Sequence, residues 1–365
     1  MNIFLAILAL VGGFVALIKG ADWFVEGSSS VAKLLKVPTI VIGLTVVALG
    51  TSLPEASVSI SSAIAGKNAL AVSNVVGSNI FNTLVVLGAS AIVVPVCVQA
   101  NSIKKEIPFS ILCTFALLGA LFLGKNVAVP ADEATAAVVT NTYTIGIVGG
   151  IVLLALFAFY MYWQVTAALK ARKSGELEEE DDDVKILSPS KSTIAIVVGV
   201  ALIIFGGKLV VYGASEIASK FGMSETLIGM TIVALGTSLP ELVTSMVAAK
   251  KGESDLALGN AIGSNIFNIV FVLGFSAVIS PITVDLLAII DTIAVIGVSA
   301  LTLVFAATGK KINRAEGAIM VLAYVAYFVY MFLRENGFQA GKLNRLRYEG
   351  SRGCHRPRTE HPPRG

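Results

Sequence analysis

The chain of 365 residues repeats part of its own sequence, in the same order, at an offset of 186 residues. The segment "GLTVVALGTSLPE" from Gly43 matches "GMTIVALGTSLPE" from Gly229. Further on, "SNVVGSNIFNTLVVLG" from Ser73 matches "GNAIGSNIFNIVFVLG" from Gly259. More than half of the positions from Gly43 onward to residue 88 are identical to their counterparts, which chance does not explain. The chain therefore contains two copies of one structural unit.

Both copies are strongly apolar. Hydrophobic residues make up 55% of the chain and charged residues 14%, and the mean hydropathy of +0.83 is typical of a membrane protein. Apolar runs of about twenty residues, the length that a helix needs to cross a bilayer, recur along the chain. We predict about ten such spans, numbered here in order: 2–26, 39–65, 70–98, 107–123, 144–168, 193–215, 226–249, 255–280, 287–308 and 315–333.

The repeat offset carries five spans, an odd number, so the second copy must enter the membrane from the opposite side. We therefore predict an all-α polytopic membrane protein whose ten helices form two inverted-topology repeats of five, with discontinuous helices 2, 3, 7 and 8 at the core. Such repeats are typical of secondary transporters, whose sites lie where discontinuous helices of the two halves meet. The predicted boundaries are 1–169 for the first repeat, 170–191 for a linker, 192–335 for the second repeat, and 336–365 for a disordered tail that is partly vector-derived.

The positive charges predict the orientation, because cytoplasmic loops are enriched in Lys and Arg. Loops after odd-numbered spans hold 14 of these residues, and the other loops hold three, Lys67, Lys125 and Lys220. We expect the odd loops in the cytoplasm and the N-terminus outside, in a plasma or inner membrane. The acidic linker 170–191 is then cytoplasmic and is interpreted as a solvated connection, with calcium sensing as the sharper alternative.

Several functional classes find no support in the composition. The three cysteines, Cys97, Cys113 and Cys354, suggest neither a disulfide framework nor a metal cluster. The first span has no basic residue before it and no small-residue cleavage pattern after it, so we predict a retained helix rather than a signal peptide. Nothing indicates nucleic acid binding. The lipid bilayer is the expected surrounding; protein partners are left open, with a monomer as the working expectation.

A proline interrupts each copy of the repeated motif. Pro54 has no N–H and its ring clashes with the carbonyl of Gly50, so we expect the helix to open around Ala48 to Thr51. Pro240 has the same effect around Ala234 to Thr237. Unpaired carbonyls in a membrane are tolerated only where protein or a water-filled cavity satisfies them, and a bound cation is such a partner.

An ionisable residue follows each proline. The carboxylates of Glu55 and Glu241 cost roughly 2.5–3.5 kcal/mol each at this depth unless they are paired. No Lys or Arg lies in either matching span, which favours a cation as the partner. The following span of each copy presents polar residues at four-residue spacing on one helical face: Asn74, Ser78 and Asn82, and then Asn260, Ser264 and Asn268. Packing between helices is the other interpretation of these polar residues.

The oxygen atoms in the motif suit a hard cation. Two bidentate carboxylates and the carbonyls of Thr51 and Thr237 supply about six oxygens, and calcium takes about six to eight. The formal charge of two carboxylates also matches one divalent ion. The same ligands could instead form several smaller sites for sodium ions. Further oxygens for these sites would come from Ser78, Ser264, Ala48 and Ala234. The absence of thiolate and imidazole from the motif argues against zinc, copper and nickel.

These paired "GTSLPE" and "GSNIFN" motifs resemble those of the sodium/calcium exchanger branch of the cation/calcium antiporter superfamily, prokaryotic type, over residues 1–335. The resemblance implies two inverted halves of five helices, a core of spans 2, 3, 7 and 8, and spans 1 and 6 that slide against it. It also implies electrogenic exchange of three sodium ions for one calcium ion by alternating access. The related proton/calcium exchangers carry a Gly-Asn…Glu motif in place of "GTSLPE".

The resemblance also implies roles for individual residues. Glu55 and Glu241 would be the central calcium carboxylates, beside the carbonyls of Thr51 and Thr237. The sodium sites would be lined by Ser52, Ser238, Ser78, Ser264, Ala48 and Ala234, with Asn82 at the middle position. Asn268 stands where family members often have an aspartate on which potassium-dependent relatives rely. That difference argues against potassium co-transport and leaves the middle site neutral.

We therefore expect a secondary active antiporter that exchanges sodium for calcium, with these ions as substrates and no cofactor. A proton-driven calcium or cation antiporter and a cation channel are the alternatives, and flux without a counter-ion would identify a channel. An enzyme that uses the carboxylates as acid and base is disfavoured, because neither a nucleophile nor a metal triad accompanies them. A scaffold without transport would leave the buried charge unexplained.

Overall fold

The computed structural model describes residues 3–66, 68–124, 143–174, 186–222 and 234–353. Within these ranges, eight helices are long and apolar enough to cross a membrane, and a ninth span is a pair of helices bent by 52°. Together they match nine of the predicted spans. The other span, 226–249, lies partly outside the described residues, so the count of ten stays a prediction. The mostly helical polytopic membrane fold is confirmed.

The first repeat begins with one long helix, Ile3–Leu35, which is span 1. Spans 2 and 3 are composed of shorter segments, with π-helical turns at Gly43–Val47 and Asn82–Val86. The α-helical segments around these turns are Thr39–Ile42, Ala48–Thr51 and Leu53–Ile64 in span 2, and Asn68–Phe81 and Leu87–Val93 in span 3. Span 4 comprises a π-helical turn and a helix, Ser102–Glu106 and Ile107–Leu123, and span 5 is the helix Ile147–Ser174.

The second repeat follows the same plan. Span 6 is the helix Pro189–Lys220, and the described part of span 7 comprises Ala234–Gly236 and Leu239–Lys250. Span 8 runs through a helix, a π-helical segment and a second helix: Ser254–Ile266, Phe267–Leu273 and Gly274–Ile279. Spans 9 and 10 are the helices Leu286–Gly309 and Arg314–Gly353.

Spans 3 and 8 correct one expectation. We predicted discontinuous helices there, but Leu70–Val93 and Ser254–Ile279 each run through without a break. Neither range contains proline, so no backbone donor is missing and a π-helical turn absorbs the local irregularity. Within the described residues, a true break occurs only in span 2 and in the described part of span 7.

Two small antiparallel strand pairs lie beside the helices, although the sequence predicted an all-α fold. Val96–Cys97 pairs with Lys311–Ile312, and Tyr143–Ile145 pairs with Ile282–Val284. Val96 aligns with Ile282 at the repeat offset, so the strands after spans 3 and 8 are equivalent. Each pair is only two or three residues long and joins loops, so the helical architecture is unchanged.

The two copies of the polar "GSNIFN" helix are the most enclosed elements. In Leu70–Val93 and Ser254–Ile279, 78% of an apolar stretch of 18 residues is buried. The corresponding share is 22–39% in the five other unbroken spans between residues 3 and 309. Spans 3 and 8 therefore lie at the centre, although they are less apolar than spans 1 and 6. A polar helix at the centre of a membrane protein indicates a site rather than a lipid contact.

Spans 1 and 6 pack antiparallel along glycines spaced seven residues apart. A Cβ on Gly13 would lie 2.7 Å from the backbone nitrogen of Val210 and 2.8 Å from the carbonyl oxygen of Gly206. One on Gly20 would lie 2.8 Å from the carbonyl oxygen of Gly199. The full set is Gly13, Gly20 and Gly27 on span 1, and their repeat equivalents Gly199, Gly206 and Gly213 on span 6. The two backbones thus touch directly, as small residues permit in membranes.

The chain divides into two compact units, residues 1–321 and 322–365. In the second unit the guanidinium of Arg334 lies 5.4 Å from the ring centre of Tyr330. The tail that we expected to be disordered from residue 336 is helical as far as Gly353, since no proline interrupts it before residue 357. The expected tail residues 354–365 and most of the acidic linker, residues 175–185, lie outside the described ranges.

Candidate cation site

The helix is interrupted at one residue, Ser52, in the first copy of "GTSLPE", and at two residues, Thr237 and Ser238, in the second. Ser52 has φ −83° and ψ 7°, and Ser238 has φ −93° and ψ 5°, so neither is α-helical. The next helix begins at once in both cases, with Pro54 or Pro240 in its first turn. A proline is tolerated there because the N–H groups of a first turn have no helical partner. Each motif therefore produces a new helix N-terminus inside the bundle.

The position of the first break corrects the sequence prediction. We expected an opening around Ala48 to Thr51, but these four residues are helical. The backbone nitrogen of Ser52 still donates to the carbonyl of Ala48 at 3.1 Å. Pro54 excludes only the hydrogen bond to the carbonyl of Gly50, so the deviation is confined to one residue. Ala234–Gly236 in the second copy is helical as well.

The two break serines bind the carboxylates of the opposite repeats. A serine before a helix usually caps it, but neither Ser52 nor Ser238 makes that side-chain bond. Instead, Ser52 Oγ donates to Glu241 Oε1 at 2.9 Å, and Ser238 Oγ donates to Glu55 Oε1 at 2.8 Å. These reciprocal bonds join the motif of each repeat to the motif of the other.

Glu55 and Glu241 are fully buried in the first turns of their helices, where the helix dipole favours negative charge. Their other oxygens, Oε2 of each, have no hydrogen-bond partner among the described residues. No Lys or Arg in the described part of the chain forms an ion pair with either carboxylate. Buried charges without partners are expensive, and a cation between them would satisfy the free oxygens.

The serines and asparagines of spans 3 and 8 add further oxygens. Ser78 Oγ lies 3.1 Å from Ser238 Oγ, and so beside Glu55. In Asn82, both polar side-chain atoms are buried without a partner in the described structure, and the same holds for Oδ1 of Asn268. Asn82 and Asn268 thus each leave an oxygen available to a ligand.

The predicted ligands from the helix ends lie beside these groups. Ser264 Oγ lies 3.5 Å from the carbonyl oxygen of Ala48. Thr51 is fully buried, and Thr237 is partly buried between the short helix and Ser238. Ala234 begins that short helix. Ala48, Thr51, Ala234 and Thr237 all lie within four residues of a break serine in the sequence.

Two asparagines that the sequence analysis left out form a cross-repeat layer. Asn79 Nδ2 donates to the carbonyl of Asn265 at 3.1 Å, and Asn265 Nδ2 donates to Thr83 Oγ1 at 2.8 Å. Asn268 Nδ2 donates to Asn79 Oδ1 at 3.3 Å, which leaves its own Oδ1 without a partner. The signal was present, because Asn79 and Asn265 are equivalent positions of "GSNIFN", but the one-face argument overlooked them.

Close helix approach completes the site. A Cβ on Gly263 would lie 2.7 Å from both the Cβ of Ala48 and the carbonyl oxygen of Leu44. A Cβ on Gly259 would lie 2.9 Å from the backbone of Gly43. Glycine therefore lets span 8 of one repeat touch span 2 of the other, which brings "GSNIFN" of one copy against "GTSLPE" of the other.

The assembled groups have the chemistry of a hard-cation site. They provide carboxylate, hydroxyl and amide oxygens and a formal charge of −2 when both glutamates are ionised. In the described part of the chain, no group of three or more His, Cys, Asp or Glu could hold a metal ion. The oxygen set suits sodium or calcium better than a soft transition metal.

Comparisons with known proteins agree with this chemistry. Residues 5–166 and 191–333 match the family model described as sodium/calcium exchanger protein. Over 332 residues, 90% of this chain and 98% of the relative, the chain is 41% identical to the protein named "Putative antiporter CaxA" of Alkalimonas amylolytica. It is 32% identical to the sodium/calcium exchanger MaX1 of Methanosarcina acetivorans, over 89% of this chain and 98% of that protein.

A solved structure is similar as well. The sodium-calcium exchanger NCX_Mj, soaked with 2.5 mM Na⁺ and 10 mM Sr²⁺, superposes with a TM-score of 0.74 at 31% identity. The match covers 90% of this chain and 99% of that protein. Both repeats are thus included in the similarity.

Proposed function

The chain belongs to the sodium/calcium exchanger family, and from that premise we propose that it exchanges sodium ions for calcium ions as a secondary active antiporter. One observation carries the proposal. Glu55 and Glu241 are buried at two facing helix N-termini, each held by the break serine of the opposite repeat, and each has a free second oxygen. We assign the central calcium position to these carboxylates and to the carbonyls of Thr51 and Thr237.

The proposed sodium ligands surround this centre. The sodium positions use the same carboxylates with nearby oxygens from Ser52, Ser238, Ser78, Ser264, Ala48 and Ala234, while Asn82 and Asn268 border a neutral middle position. Since calcium and sodium share the carboxylates, they compete for them. Competition for one set of ligands is the basis of exchange.

The buried charge explains why exchange rather than one-way flux is expected. Without a cation, the site carries the two negative charges of Glu55 and Glu241 in a low-dielectric surrounding. Closing this charged site to one side of the membrane and opening it to the other is therefore costly. One calcium ion neutralises that charge, and two or three sodium ions neutralise or exceed it. The carrier therefore changes its exposure readily only when it is loaded.

The architecture supports alternating access as the mechanism. Spans 1 and 6 touch along their glycines and so are suited to move as one unit against the core of spans 2, 3, 7 and 8. Inverted repeats provide two related conformations, one open to each side. By the distribution of Lys and Arg, we place the N-terminus outside and the linker 170–191 in the cytoplasm, in an inner or plasma membrane.

The direct test is radioactive calcium uptake into proteoliposomes that contain the full chain. Vesicles are loaded with sodium, potassium or acid and diluted into sodium-free buffer. We expect uptake only from the sodium-loaded vesicles. Uptake driven by the acid interior would identify a proton antiporter instead, and uptake without any counter-ion gradient would identify a channel.

Exchange of three sodium ions for one calcium ion would move one net charge per cycle, so membrane voltage should drive it. One charge crossing 100 mV gains about 2.3 kcal/mol, which is about 50-fold in the ion ratio at equilibrium. Because each uptake cycle carries one net positive charge out of the vesicle, we expect calcium accumulation to rise when a potassium diffusion potential makes the sodium-loaded interior positive. Equal accumulation at zero and at +100 mV would instead indicate an electroneutral exchange of two for one.

Acid should inhibit transport, because protons and cations compete for the oxygens of Glu55 and Glu241. Cation ligands must be deprotonated, so lowering the pH weakens binding by up to about tenfold per pH unit for each carboxylate that takes up a proton. The measurement is the calcium concentration for half-maximal exchange between pH 8 and pH 5. A value that does not change over this interval would show that these carboxylates do not bind the transported ion.

A further inference from the structure

An asparagine on span 8 binds the main chain of Glu241 rather than its carboxylate. Asn260 Nδ2 donates to the carbonyl of Glu241 at 3.2 Å and to Ser245 Oγ at 2.9 Å. Ser245 Oγ in turn lies 3.3 Å from the carbonyl oxygen of Ala257, to which it donates. These bonds link the start of the helix Leu239–Lys250 to span 8 at two positions, Asn260 and Ala257.

The first repeat contains the same arrangement. Asn74 Nδ2 lies 3.4 Å from the carbonyl oxygen of Glu55 and 3.0 Å from Ser59 Oγ. Ser59 Oγ lies 3.5 Å from the carbonyl oxygen of Ala71. All four positions align with those of the second repeat at the offset of 186 residues. An arrangement that recurs at four equivalent positions, in two copies with opposite orientations, indicates a requirement of the site.

Asn260 also reaches the other repeat. Thr51 Oγ1 donates to Asn260 Oδ1 at 2.8 Å, and both side chains are fully buried. One asparagine therefore contacts the residue before the first break and the main chain of the carboxylate-bearing residue after the second. Its oxygen and its amide nitrogen are both occupied by protein groups, whereas Asn82 and Asn268 each leave an oxygen free. Asn260 is thus placed to support ligands and not to be one.

We propose that Asn260 and Asn74 are positioning residues that set the locations of the Glu241 and Glu55 carboxylates, and that Asn260 also sets Thr51. They determine how well the site distinguishes calcium from sodium. The inference rests on the proposed function, because it assumes that these glutamates bind the transported cations.

The reason for a selective effect lies in what each ion needs. Calcium at the centre requires both carboxylates to converge on one point, so a shift of either helix turn weakens it directly. A sodium ion takes fewer ligands from one side of the cage and tolerates such a shift better. Loss of a group that orients a metal ligand typically lowers metal affinity by about 10- to 100-fold. Calcium affinity should therefore fall more than sodium affinity.

The test measures equilibrium binding of radioactive calcium to the purified full chain in detergent, together with its displacement by sodium. We expect Asn260→Ala to raise the half-saturating calcium concentration by about tenfold or more and the sodium concentration for half displacement by clearly less. Asn260→Asp should be impaired as well, since it keeps an oxygen for Thr51 but cannot donate to Glu241. Ser245→Thr, which keeps the hydroxyl group, should retain the wild-type ratio of the two affinities.

A matched pair on one helix separates positioning from packing. Ser59 is buried in the proposed network and Ser57, two residues earlier, is exposed. We expect Ser59→Ala to change the calcium-to-sodium affinity ratio and Ser57→Ala to leave it unchanged. If Asn260→Ala does not fold, this pair decides the question.

The outcomes distinguish failure of the positioning role from failure of the proposed function. A fall in melting temperature with an unchanged affinity ratio in Asn260→Ala and Ser59→Ala would overturn the positioning role and assign these side chains to packing. Wild-type protein that binds neither cation would overturn the proposed function itself. Binding by the wild type, with an altered ratio in the variants, would support both.

Discussion

Glu55→Gln is expected to abolish sodium-driven calcium exchange. Glutamine has nearly the same shape and can still accept the hydrogen bond from Ser238, but it supplies no negative charge to a buried cation. Removing one member of a buried charge pair costs about 3–5 kcal/mol, which corresponds to at least about a 100-fold loss of calcium affinity. The same result is expected for Glu241→Gln, because the two residues are equivalent under the repeat.

The measurement is sodium-driven calcium uptake by the purified variants in proteoliposomes. Glu26→Gln makes the same chemical change on span 1 and should retain uptake. The melting temperature of Glu55→Gln without cations should equal or exceed that of the wild type, because a buried charge without a partner has been removed. Calcium exchange near the wild-type rate in folded Glu55→Gln would exclude Glu55 from the central site.

Gly13→Leu should destroy most of the folded protein, whereas Gly12→Leu, one residue earlier, should be tolerated. A Cβ on Gly13 would lie 2.7–2.9 Å from two backbone atoms of span 6 and from the Cβ of Leu209, so the side chain would force the helices apart. No described atom outside its own helix lies within 4 Å of the corresponding position on Gly12, which is exposed. There, leucine adds helix propensity of up to about 1 kcal/mol.

The two variants are compared by the amount of monodisperse protein after detergent extraction and by melting temperature. Overpacking in a tight interface costs about 1–3 kcal/mol for small groups and more where only backbone can move. If Gly13→Leu and Gly12→Leu have the same melting temperature, the direct backbone contact between spans 1 and 6 is not important for stability. Loss of transport with normal stability in Gly13→Leu would instead assign the contact to the conformational cycle.

Much of the site could be predicted because the same proline and glutamate motif occurs in both copies of the repeat. One copy of "GTSLPE" could be a kinked helix with a chance carboxylate, but two copies offset by five predicted spans, an odd number, are predicted to have opposed orientations. The helix-breaking effect of Pro54 and the cost of a buried Glu55 are local properties that any surrounding must satisfy. From these properties the sequence predicts a cation site, and in the structure the break serines bind the carboxylates of the opposite repeats.

Other features of the fold depend on contacts between helices, and the sequence pattern does not show which helices are in contact. The break is confined to Ser52 because the remaining backbone bonds around Ala48 could still form, and span 3 continues because a π-helical turn suffices there. The glycine spacing on span 1 is visible in the sequence, but its partner helix is not. A helical period shows which residues share a face, and it does not show which helix that face meets.

The sequence by itself determined the membrane class, and it predicted the inverted repeat, the interruption of spans 2 and 7 and an acidic, oxygen-rich site. Those properties follow from composition, from proline geometry and from counting spans, and they hold for any packing of the helices. Only the tertiary structure decided that Ser52 serves Glu241, that Ser238 serves Glu55, and that Asn260 joins Thr51 to the second repeat. Each of these bonds joins residues more than 180 positions apart, and such pairings depend on the close approach of helices that glycine permits.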